Sequence, residues 1–75
     1  MVNLADLTPR ESQILQLVLT GKTNRAIANE ISISERTVEF HMDHIYTKIG
    51  VRTRLMAVVW GLQQGMETEP VEIPS

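Results

Sequence analysis

The chain has 75 residues, 43% of them hydrophobic, and nine acidic against seven basic side chains give a formal charge of -2. That length holds one small domain near the lower limit of independent stability, and the absence of cysteine excludes a disulfide framework or a thiolate-held metal to support it. The longest apolar run, Leu55 to Leu62, falls well short of the ~18 residues of a spanning helix, and no charged-then-apolar leader opens the chain, so a soluble, cytoplasmic protein is expected.

Met1 to Asp6 read as a loose arm. Thr8 then opens a first helix, expected from about Pro9 to Thr20. Pro9 takes the first helical position, Glu11 completes a capping box with Thr8, and Ile14, Leu15 and Val18 recur at helical spacing before Gly21 ends the segment. Thr23 caps a second helix of barely two turns, with Ile27, Ala28 and Ile31 on one face, and Ser32, Ile33 and Ser34 interrupt it. Ser34 caps a longer third helix running to Ile49, in which Val38, Met42, Ile45 and Ile49 form a stripe expected to be buried. Gly50 stops it; Thr53 caps a fourth helix from Arg54 to Gln64, and Gly65 ends that one. Residues 66–75, with Pro70 and Pro74 among acidic side chains, read as a disordered tail. No segment alternates with period two for long, which makes residues 7–65 an all-α domain of four helices.

A short second helix, a link of three residues and a long third helix make a helix-turn-helix. In that arrangement the first helix of the pair rests on the sugar-phosphate backbone and the second enters the major groove. Spacing alone leaves a plain helical bundle open. The residues narrow the choice. Leu7-Thr8-Pro9-Arg10-Glu11, Asn24-Arg25-Ala26-Ile27-Ala28, the run from Ile33 to His41, Ile45-Tyr46-Thr47-Lys48-Ile49-Gly50-Val51, Arg54 and Ala57-Val58 resemble the LuxR-type (GerE-like) helix-turn-helix family in register. The resemblance spans Leu7 to Gly65 and implies a four-helix DNA-binding domain of a bacterial transcription regulator, either an output domain or a complete small regulator. Double-stranded DNA is then the partner, with RNA polymerase a candidate second one.

At about 100° per residue, Arg36, Phe40, Asp43 and Thr47 point away from the buried stripe of the third helix. Arg36, Glu39, Phe40 and Asp43 are the candidate base contacts: the phenyl ring suits a thymine methyl, and a carboxylate can accept from cytosine N4. Against this stand incidental exposure of Phe40, or its packing on the arm, and a solvated acidic edge formed by Glu35, Glu39 and Asp43. The position of Glu39 is often lysine in the family, so phosphate attraction is weakened there.

Removing the last ten residues takes away three of the nine acidic side chains and leaves seven basic against six, so the body is near neutral. Lys22, Thr23, Asn24, Arg25, Thr37, Lys48 and Arg52 are the candidate DNA-backbone contacts, as cations or short polar groups close to helix ends. Arg54 is open to an internal pair with Glu11 instead. The fourth helix is apolar around most of its circumference. The family matches Ala57, Val58 and Gly61 to inward positions, which leaves Leu55, Val59, Trp60 and Leu62 as a candidate homodimer contact, with an inverted repeat as the target. The alternative is that Trp60 and Leu62 cover the first helix.

Catalysis is not expected. His41 and His44 lack the cysteine or carboxylate pair that would complete a metal shell, and Ser32 and Ser34 have no adjacent base. There is no Gly-rich phosphate loop and little room for a small-molecule substrate, so no cofactor is expected. A protein-interaction module that keeps the fold but does not read DNA is the competing function.

Overall fold

The computed structural model describes residues 2–67. Four helices follow in chain order: α1 (Pro9–Leu19), α2 (Asn24–Ile31), α3 (Glu35–Ile49) and α4 (Arg54–Gln63), with no strand among the described residues. Each begins where a hydroxyl side chain takes up an otherwise unpaired amide of the first turn. Thr8 Oγ1 accepts from the Glu11 amide at 3.1 Å, Thr23 from Ala26 at 3.1 Å, Ser34 from Thr37 at 3.0 Å and Thr53 from Met56 at 3.1 Å. The Thr8 capping box is closed reciprocally by the Thr8 amide on Glu11 Oε1 at 2.9 Å.

Within the segment read as a loose arm, Leu4–Asp6 form one 3-10 turn. Two local bonds explain it: the Ala5 amide donates to Asn3 Oδ1 at 2.9 Å and the Asn3 amide to Asp6 Oδ2 at 2.8 Å, while Leu4 packs on the core. The tail expected over 66–75 lies outside the described residues beyond Glu67. Met66 itself packs against the core, its amide bonded to the Gly61 carbonyl at 3.0 Å.

The core joins Ile14, Leu15, Val18 and Leu19 of α1 to Ile27 and Ala28 of α2, Val38, Met42 and Ile45 of α3 and Ala57 of α4. Ile49, expected to share that burial, is only half-buried, because it ends α3 where the chain turns outward at Gly50. α1 packs on all three other helices and so holds the pair α2 and α3 as a unit. Between those two, Ser32 adopts the left-handed conformation (φ 59), and the Ile33 amide returns to the Ala28 carbonyl at 3.0 Å. This tight reversal carries the chain from α2 into Ser34 and the start of α3.

Candidate nucleic-acid interface

α3 buries one stripe and leaves the opposite side exposed. Arg36, Glu39, Phe40 and Asp43 are all exposed and together line a shallow depression of about 220 Å³. The spacing i, i+3, i+4, i+7 puts them on one side of the helix, opposite Val38, Met42 and Ile45. Phe40 is 59% exposed. It neither meets the N-terminal turn nor floats: its ring lies tilted on the imidazole of His44, with centroids 4.4 Å apart. The sequence reading gave His44 no such part, although its i+4 spacing from Phe40 was the available signal.

The cations divide into engaged and free. Lys48 Nζ lies 2.7 Å from Glu11 Oε1, a carboxylate that is only 4% exposed, and 3.4 Å from the Asp6 carbonyl. Its charge therefore neutralises a buried acid, and the expected free backbone clamp is not presented at this position. Burial alone would raise the Glu11 carboxyl; the Lys48 ammonium and the Thr8 amide outweigh it, so its pKa falls below the ordinary value of 4.5.

Lys48 also takes the place offered to Arg54, which turns to other partners. Arg54 Nη1 donates to Asn24 Oδ1 at 2.7 Å and Nη2 to the Lys22 carbonyl at 2.6 Å, tying the start of α4 to the start of α2. Asn24 is thereby fixed in place. Lys22 pairs loosely with Glu30, at 3.3 Å. Thr37 is half-buried, its hydroxyl 2.7 Å from that of Ser34. Thr23 is exposed beside its cap, and Arg25, Arg36 and Arg52 are exposed with no hydrogen bond or ion pair among the described residues. The positive charge with neither hydrogen bond nor ion pair among the described residues thus comes from three arginines.

On α4, Leu55, Met56, Val59 and Leu62 are exposed, Leu55 to 71%. Trp60 is not one of them. It sits three residues after the buried Ala57, hence on the inward face, and is half-buried against the core. Met56 belongs to the outward strip that the sequence reading did not include. Gly61 leaves little room: a Cβ there would lie 3.0 Å from Leu19 Cδ1 and 3.3 Å from Met66 Sδ, so those side chains would have to give way slightly. Among the described residues no cluster of His, Asp or Glu could hold a metal, and no helix is long and apolar enough to cross a membrane.

A three-residue turn between a short and a long helix, braced by α1, with the long helix showing a polar-aromatic face outward, defines a helix-turn-helix protein. Residues 5–61 match the family of bacterial regulatory proteins described as the luxR family, and the chain belongs to that family. It is 42% identical over 59 residues to the spore germination protein GerE of Bacillus subtilis, covering 79% of this chain and 80% of that protein. It is 41% identical over 58 residues to the nitrate/nitrite response regulator protein NarL of Escherichia coli K12, covering 77% of this chain. The match takes up only 27% of NarL. Among solved structures, the response regulator ChrA of a heme-sensing two-component system superposes with a TM-score of 0.76 at 43% identity, over 81% of this chain and 30% of that one. The chain thus spans less than a third of these two response regulators.

Proposed function

We propose that this domain binds duplex DNA sequence-specifically as part of a bacterial transcription regulator, with α3 in the major groove. The carrying observation is the convergence of Arg36, Glu39, Phe40 and Asp43 on one exposed depression, with none of the four side chains hydrogen-bonded or ion-paired among the described residues. Each has a base-edge counterpart. Arginine forks to guanine O6 and N7, a carboxylate accepts from cytosine N4, and an apolar ring meets a pyrimidine C5 substituent. Arg25 and Arg52 bind phosphates on either side, with Lys22, Thr23, Asn24 and Thr37 adding shorter contacts near the helix starts. Lys48 is left out of the clamp because Glu11 holds it.

Leu55, Val59 and Leu62, with Met56 beside them, form the contact between two copies on an inverted repeat. Among the described residues five large apolar side chains are exposed, four of them on α4. Two-fold pairing also doubles a thin electrostatic footprint, since each subunit offers three exposed arginines with no hydrogen bond or ion pair among the described residues. RNA polymerase is the partner through which a bound regulator of this kind acts on transcription.

One observation favours a second reading. Glu35, Glu39 and Asp43 form an exposed acidic column on the same helix, which fits a basic protein partner better than a phosphate backbone. Salt separates the two. Binding to a duplex selected from a random pool should weaken with a log-log slope of about -3 per subunit, as expected for roughly three phosphate contacts. Failure to enrich any duplex would sink the DNA reading and leave the protein-interaction module.

A further inference from the structure

We infer that the depression on α3 favours 5-methylcytosine over both cytosine and thymine at one position of the DNA site, an inference that rests on the reading of α3 as the groove helix. Two chemistries stand side by side there. Glu39 and Asp43 offer carboxylate oxygens, which only accept hydrogen bonds when ionised. Phe40 offers a ring that is 59% exposed and seated on His44, so its position does not have to be fixed anew when a base arrives.

The pyrimidine edges sort themselves against that pair. Cytosine presents the N4 donor to the carboxylate but only a hydrogen at C5, leaving the ring with little to cover. Thymine brings the methyl group to the ring but turns the O4 acceptor on the carboxylate, acceptor against acceptor. The base with an N4 donor and a C5 methyl together satisfies both. Arg36, lining the same depression, matches the O6 and N7 of a neighbouring guanine, so a cytosine-guanine step suits the whole set.

The test uses the full chain and a duplex enriched from a random pool, with affinity read by fluorescence anisotropy at fixed salt. Each cytosine of the half-site is replaced in turn by 5-methylcytosine and, separately, by thymine; each thymine is replaced by uracil. At one cytosine the methyl group should tighten binding up to about fourfold, the worth of one methyl taken out of water. Thymine at that position should weaken binding at least about fivefold, the lower end of what a wrong base costs.

Phe40→Ala should remove the methyl gain and keep the preference for cytosine over thymine. Glu39→Gln should relieve the rejection of thymine, because an amide can also donate to O4. Phe40 and Glu39 are both exposed, so neither change threatens the fold. Binding with no response to methylation at any cytosine overturns this inference alone, as does a methyl gain that survives Phe40→Ala. A loss on replacing thymine by uracil, without a gain from 5-methylcytosine, overturns it too by assigning Phe40 to thymine. A chain that binds no duplex overturns the DNA reading and this inference with it.

Discussion

Glu11 shows how much a single residue does in so small a fold. It accepts from the Thr8 amide, starting α1, and from Lys48 on α3, so one carboxylate caps a helix and joins two elements distant in sequence. The depressed pKa of Glu11 gives stability that is fully present above the unfolded value near 4.5 and is lost as pH falls through the lower folded value. Lys48→Met leaves the carboxylate buried without its cation. We expect a loss of about 1–3 kcal/mol at neutral pH, the cost of an unpaired buried polar group. Thermal melts across pH should also show a shallower acid limb in the variant, because without Lys48 the folded pKa moves back toward the unfolded value and less stability is left to lose on acidification. An unchanged acid limb would mean that Lys48 does not hold Glu11 in its charged form.

The sequence pattern was enough to find the four caps, the helix limits and the outward face of α3, because these depend on neighbours within one turn. What it could not decide was which long side chain reaches which partner. Lys48 reaches Glu11 on α1 while Arg54 reaches Asn24 and the Lys22 carbonyl at the start of α2, and which cation takes which partner turns on tertiary distances that no local spacing encodes. The Asn3 and Asp6 turn was legible in principle, as a capping box, but has no helix of ordinary length behind it.

At the scale of elements, α4 is divided into a buried and an exposed face. Ala57 and Gly61 face inward with Trp60 beside them, and Gly61 sets how closely α4 approaches Leu19. Two terms oppose each other in Gly61→Ala: better helix propensity, by about 1 kcal/mol, and crowding by a similar amount. The change should therefore stay within about 1 kcal/mol of the parent. Gly61→Val adds a branched side chain to the same contact and should cost about 2 kcal/mol, read by urea unfolding. On the outward strip, Val59→Asp should leave the melting temperature of the isolated domain nearly unchanged while shifting sedimentation on a two-half-site duplex from two bound copies toward one. Equal sedimentation of parent and variant would remove the α4 contact from the account.

For the whole molecule, charge was the least informative number in the sequence. A formal -2 argues against nucleic acid, yet placement changes its meaning: Glu11 is internal, Glu30 meets Lys22, and three arginines remain exposed and unpaired among the described residues. In the proposed reading, the acidic face of α3 trades affinity for choice among bases, and a second copy restores what each subunit lacks. The central claim is that α3 meets the bases. Amide resonances followed during titration with an enriched duplex test it most directly. The account predicts the largest changes from Arg36 to His44, smaller ones at Thr23 to Arg25 and around Arg52, and quiet resonances through α1. Changes confined to α1 or α4, with α3 unmoved, would contradict it.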